Sequence, residues 1–371
     1  MTGNPPVGGR FSIAANNFDL VRLVAALQVA VLHVAHDLSS RYNETLPVVL
    51  LELFPGVPIF FFVSGFLISR AFERSQTLSD YARNRALRIF PALHVCVLLN
   101  VLAVAATGYF ATAGAGVLDV VKLYLAKTSF FQFYNPDFMR GFGDGVLNGS
   151  LWTVCVELQF YLLTPIVYAL LKPGRTRWGD LGLMLLLVSS LLCNRALYHL
   201  QAEYAHTVAW KLGRVSFLPW LYMFLTGVLA QRYFASVSRL LTRRAFWLAL
   251  AAYTAYAYVL RSNGFGMDNS YSPVLFFPLA FLICTAAYYP LRQVLHGQDI
   301  SYGIYLYHVP VMNMFLFYGL EGHLGYTAAT IFLSIALAVC SWVLIERPSL
   351  QRKRHAARPA PVGSELEVQK R

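Results

Sequence analysis

Apolar residues in this chain come in long runs rather than in the short alternations of strands. Ten runs of about 18–22 residues stand out, at about 19–38, 52–71, 87–108, 150–171, 179–199, 215–234, 245–262, 273–291, 300–319 and 326–345. A run of that length matches the roughly 30 Å hydrocarbon layer of a bilayer when helical. The pattern predicts an all-α membrane protein of about ten transmembrane helices, with one membrane domain over residues 18–348 and no fused soluble domain. Residues 1–17 read as a polar cytoplasmic segment. Residues 349–371 form a basic tail without an apolar face, expected to be disordered on the cytoplasmic side. The half-apolar piece at about 117–134 carries Lys122 and Lys127 and predicts an interfacial or re-entrant segment. The first run is too long for a signal h-region and lacks a small-residue cleavage site, so it is expected to stay as a helix.

Composition agrees with the pattern. The 371 residues are 57% hydrophobic and 13% charged, against about 25% charged in a soluble domain. The net charge of +12 would suggest nucleic acid in a soluble protein. Here the Lys and Arg residues gather in every second loop, as the positive-inside rule requires, and no nucleic-acid motif accompanies them. That bias puts both termini in the cytoplasm. The five cysteines lie in apolar runs with neither metal-ligand spacing nor a disulfide pattern, so they read as small core residues and no metal is expected.

Candidate chemistry sits where ionisable groups interrupt the apolar runs, because such groups are costly there. Ten residues separate Arg22 from His33 in the first run. Eleven steps of 100° bring both side chains to one helix face, roughly 16 Å apart along the axis. Glu157 lies mid-run at the same expected depth as His33, so an acid and an imidazole could meet there. Tyr161 follows it by one turn, and Trp152 belongs at the outer interface. Arg85 and Arg88 share a face at the start of the third run. They read either as positive-inside anchors or as a phosphate site beside a helix N-terminus. In FPGVPIFFFVSGFLIS, Pro55, Pro58 and Gly65 interrupt the run, and Ser64 with Gly65 offers a small surface for close packing or close approach. Tyr302 and His308 are polar handles in the ninth run. Glu346 and Arg347 read as a local ion pair.

These patterns, taken in order, resemble the acyltransferase-3 family of integral membrane O-acyltransferases, which modify polysaccharides, antibiotics and lipids. The resemblance rests on R-x10-H at Arg22 and His33, FFxxSG at Phe60 to Gly65, RxxR at Arg85 and Arg88, LWTVCVE at Leu151 to Glu157, and SYGIYLYH at Ser301 to His308 before a closing ERP. It covers about residues 18–348. It implies a ten-helix core, an acyl-CoA donor (acetyl-CoA first) reached from the cytoplasm, no bound cofactor, and a hydroxyl acceptor such as an exported or lipid-linked glycan. It also implies roles for Arg22, His33, Arg85, Arg88 and Glu157. The residues suit that chemistry on their own account. A thioester is already activated, so what remains is a base for the attacking hydroxyl, and a neutral imidazole suits that task. On this reading His33 is the base, Glu157 orients its ring, Arg85 and Arg88 hold the donor's phosphates and Arg22 lines the donor route. Ser64, Gly65, Trp152, Tyr161, Tyr302 and His308 would line the site. The alternative is a proton-coupled transporter or flippase for a glycan or small solute, using Arg22, His33 and Glu157 as a relay.

Overall fold

A computed structural model describes residues 13, 16–39, 43–172, 177–267, 272–289, 293–295 and 297–356, with backbone only beyond 352. The described residues are helical and contain no strand. In chain order the helices are α1 (Phe18–Leu38), α2 (Leu46–Glu52), α3 (Gly56–Arg74), α4 (Leu78–Ala106), α5 (Tyr109–Thr112) and α6 (Val117–Lys127). Then come α7 (Trp152–Leu171), α8 (Arg177–His199), α9 (Gln201–Tyr204), α10 (Val208–Val215), α11 (Leu221–Arg232) and α12 (Phe234–Val237). The chain closes with α13 (Arg243–Ser262), α14 (Pro273–Ala287), α15 (Ser301–Phe317), α16 (Leu324–Ser341) and α17 (Arg347–Ala356).

Each of the ten apolar runs falls on a helix, but among the described residues six helices are long and apolar enough to cross a membrane, or seven if the bent pair Val208–Val215 and Leu218–Arg232 is one span. This makes the chain a multi-pass membrane protein. The 15 residues of α14 and the 17 of α15 give only about 22–26 Å of helix at 1.5 Å per residue. Much of their apolarity serves protein contacts: α15 is buried continuously from Ser301 to Pro310. The segment at 117–134 holds α6, which at 11 residues is too short to span and packs against α4. Its Lys127 is buried, and the Nζ donates to the Gln132 carbonyl at 2.8 Å. Helix α17 continues to Ala356, past the boundary expected at 348. The rest of 349–371, like 1–12, lies outside the described residues.

Two contacts set the positions of the helices around the site. The first is the crossing of α3 and α11. A Cβ on Gly65 would stand 1.9 Å from the Phe224 carbonyl oxygen, and one on Gly227 would stand 2.0 Å from that of Phe62. Backbone therefore lies on backbone at this crossing, which is what small residues permit between membrane helices. The second is the break between α2 and α3. Pro55 precedes α3 and Pro58 lies in its first turn, where a proline costs no helical hydrogen bond. The prolines thus start this helix and do not interrupt it. Buried Gln28 of α1 spans the break, accepting from the Gly56 amide at 2.9 Å and donating to the Leu51 carbonyl at 3.0 Å. On its other face α1 packs along α15, which packs in turn on α16.

Three of the cysteines expected in the core, Cys96, Cys155 and Cys284, are buried; Cys340 is exposed and Cys193 is intermediate.

Candidate functional site

Helix α1 presents Arg22 and His33 to the interior at two levels of the bundle. Arg22 Nη1 meets Asp299 Oδ2 at 2.5 Å, and Arg88 Nη2 of α4 binds the same oxygen. Asp299 sits in the turn before α15. Its other oxygen accepts from the Ser301 amide at 3.1 Å and from the Ser301 hydroxyl. Burial alone would raise this carboxyl, but Arg22 and Arg88, helped by Ser301, outweigh it and hold the group down at about 2. Glu346 lies nearby in a π-helical turn, Trp342–Glu346. It does not pair with exposed Arg347. It is buried, one carboxylate oxygen accepts from Ser341 at 3.2 Å, and the other has no partner among the described residues.

The arginine pair is therefore split. Arg88 is committed to Asp299, and so is Arg22. Arg85 has no ion-pair partner among the described residues. Its guanidinium carbon lies 5.6 Å from the centre of the Tyr161 ring, and its Nε is buried and unpaired.

At the other level His33 does not meet Glu157. Its Nδ1 lies 3.0 Å from Nε2 of His308, on the facing turn of α15. His308 is fully buried, and its Nδ1 lies 3.2 Å from the Ile304 carbonyl oxygen one turn earlier. Glu157 is held elsewhere: one oxygen accepts from the Tyr161 hydroxyl at 2.8 Å and from the Ser64 hydroxyl at 3.3 Å. The pairing expected from equal depth is not formed: α1 packs His33 against α15, while Glu157 lines the cavity wall with Arg22.

Between the two levels lies a cavity of about 30 Å³, lined by Arg22, Val57, Phe60, Phe61, Thr153, Val154, Glu157, Tyr302 and Tyr305. That is room for about two waters. Tyr305 closes it toward the histidines. Its ring centre is 5.7 Å from that of His308 and 5.6 Å from that of Phe60, and its hydroxyl lies 2.5 Å from that of Thr153. Tyr302 donates to the Ile89 carbonyl at 3.2 Å from the opposite wall. Ser64 reaches the site through Glu157, whereas Gly65 serves the α3–α11 crossing. Trp152 packs its ring 5.3 Å from that of Trp220 and lies outside the cavity wall.

Sequence reasoning missed Asp299, Thr153 and Tyr305. For Asp299 a signal existed: it is the one acid between Asp268 and Glu321, and it stands two residues before a serine that it can cap. Thr153 and Tyr305 carried none, being ordinary helix residues whose facing is set by packing. Among the described residues no cluster of His, Cys, Asp and Glu could hold a metal ion.

Comparison with known proteins bears on this arrangement. A family model described as an acyltransferase domain, Acyl_transf_3, matches residues 16–346. Nodulation protein 10 of Rhizobium leguminosarum bv. viciae is 34% identical over 352 residues, covering 91% of this chain and 93% of that protein. The O-acetyl transferase of Shigella phage Sf6 is 29% identical over 361 residues, covering 91% and 97%. The peptidoglycan O-acetyltransferase OatA of Listeria monocytogenes is 27% identical over 124 residues, 30% of this chain and 19% of that one. No solved structure matches.

Proposed function

Because this chain belongs to the Acyl_transf_3 family of acyltransferases, we propose that it moves an acyl group, acetyl in the first instance, from acyl-CoA to a hydroxyl of a glycan on the opposite side of a bacterial inner membrane. Both termini face the cytoplasm in this reading, the ten helical segments form the membrane core, and the Arg22 level is the donor side. Family membership favours this reading over the transporter. Relatives named as O-acetyltransferases support acetyl as the group and oxygen as the acceptor atom.

The observation that carries the proposal is the pairing on α1: an arginine at the ion cluster, an imidazole on the same face roughly 16 Å further on, and between them a small cavity whose mostly apolar wall carries Arg22, Thr153 and Glu157. Arg85 is the cation left to meet the donor's phosphates, and it would do so as a charge-assisted hydrogen-bond donor. Arg22 and Arg88, held on Asp299, shape the wall past which the thioester moves. The cavity is smaller than a thioester, so transfer requires Phe60 and Tyr305 to part.

His33 is the base. The acceptor hydroxyl gives its proton to the imidazole as its oxygen attacks the thioester carbonyl carbon. The tetrahedral centre collapses, the carbon–sulfur bond breaks, and the proton passes from the imidazole to the leaving thiolate. The products are an ester and free CoA thiol, with no covalent acyl-enzyme. Glu157, fixed by Tyr161 and Ser64, supplies a negative charge to the cavity wall, where it positions a polar group of the donor.

Membranes containing the protein, incubated with labelled acetyl-CoA and the host's surface glycan, are expected to release CoA thiol and to label the glycan through an alkali-labile ester. Arg85→Ala is expected to raise the donor KM about tenfold or more, as loss of a charge-assisted contact of 1.5–3 kcal/mol would. Absence of both CoA release and glycan label, with the protein present at normal level, would overturn the proposal.

A further inference from the structure

We infer that His308 is the positioning residue of the site: it selects the tautomer of His33 and leaves the Nε2 of His33 as the basic atom. The inference rests on the reading of His33 as the base. It follows from counting protons along one short chain of contacts. The Ile304 carbonyl can only accept, so the His308 Nδ1 facing it at 3.2 Å carries the hydrogen. A neutral imidazole has one N–H, so His308 Nε2 is a lone pair. That lone pair lies 3.0 Å from His33 Nδ1, which must then be the donor. The single hydrogen of neutral His33 is thereby placed on Nδ1, and its Nε2 is the lone pair.

The arrangement does for His33 what the sequence assigned to Glu157, with a different group. A ring that must act as a base needs its tautomer and its plane held, and a hydrogen bond to the far nitrogen does both. Here the holder is a second imidazole, buried on every side and itself pinned to the backbone of α15. The ring planes are inclined by 32° with centres 5.2 Å apart, so the contact is a nitrogen-to-nitrogen hydrogen bond and not a stack. A neutral holder orients the ring without adding a counter-charge. When His33 takes the acceptor's proton on Nε2, its Nδ1–H keeps the same bond, so His308 need not move during the cycle.

The test has two arms. In membranes, turnover of labelled acetyl-CoA per unit of folded protein is compared for wild type, His33→Ala, His308→Ala, His308→Gln and the double alanine variant. The glutamine amide oxygen can occupy the place of the lone pair on His308 Nε2. His308→Ala is expected to lower kcat by roughly 10²–10⁴-fold, the range of a base held in the wrong form, with the donor KM unchanged. His308→Gln is expected to restore kcat to within about tenfold of wild type, and the double variant to be no slower than His33→Ala. In the second arm, ¹⁵N spectra of histidine-labelled wild-type protein, with His33 assigned by its loss in a His33→Gln variant, are expected to show an Nδ1–H, Nε2-unprotonated ring. This arm does not depend on how the His308 variants fold. An inactive His33→Ala beside a His308→Ala variant of wild-type kcat would overturn the inference and leave the base assignment standing, as would an Nε2–H signal for His33. An active His33→Ala would end both.

Discussion

Replacing Asp299 by asparagine removes the carboxylate that holds α1, α4 and the start of α15 together. The magnitude can be worked in two ways. The carboxyl stands at about 2 in the folded protein, against about 3.9 for an unperturbed aspartate, so its ionised form contributes roughly 2–3 kcal/mol at neutral pH. This figure already includes the burial penalty. Substitution costs more, because it leaves the guanidiniums of Arg22 and Arg88 facing one neutral acceptor, and breaking a buried pair by removing one partner typically costs about 3–5 kcal/mol. The expected loss is thus about 3–5 kcal/mol, read from thermal or denaturant unfolding of protein purified in detergent. The sign of the pH dependence follows from the depressed folded value. The contribution is complete above about pH 4, where the unfolded carboxyl is ionised, and is lost as pH falls toward 2. Wild type and Asp299→Asn should therefore converge in acid and diverge above it. A loss under about 1 kcal/mol at neutral pH, the size of an exposed ion pair, would show that Arg22 and Arg88 are not held by Asp299 and would refute the reasoning.

Two further substitutions probe the framework. Gly65→Ala places a methyl 1.9 Å from the Phe224 carbonyl oxygen, so α3 and α11 must separate by about 1 Å; the expected cost is about 1–3 kcal/mol. Gly227→Ala should cost a similar amount from the other helix, and an unchanged melting temperature for both would contradict the crossing. Burial, only partly offset by Asp144, pushes the Lys127 amine down to about 8, so it is a burden wherever it must be charged. Lys127→Met should raise stability at pH 7 by about 1–2 kcal/mol after the lost bond to Gln132 is counted. The gain should shrink as pH rises from 8 toward 10.5, where wild type no longer has to discharge the amine on folding. Destabilisation at pH 7 would show the charged amine to be satisfied.

How much of this was legible in the sequence depends on the kind of information each feature needs. The helices were, because long apolar runs mark them whatever their neighbours. That Arg22 and His33 share a face was also legible, since helical periodicity alone determines it. The partner of His33 was not. Expected depth along the membrane normal predicted Glu157, but the partner is set by packing, and α1 packs on α15. For the same reason one arginine of the RxxR pair serves Asp299 while the other points at Tyr161. The number of spanning helices was less legible, because hydropathy does not separate residues that face lipid from those that face protein. Helix α15 lies on an apolar run, yet its first ten residues are all buried.

The central claim is that one imidazole serves a thioester from one face of the membrane and a hydroxyl from the other. The direct measurement uses sealed proteoliposomes with labelled acetyl-CoA supplied only on the side of the chain termini and the glycan only on the opposite side. Wild-type protein is predicted to put label on the glycan, and His33→Gln, inserted to the same level, to lose at least about a hundredfold in rate, the lower bound for removal of a general base. Label transferred by His33→Gln at the wild-type rate would contradict the account.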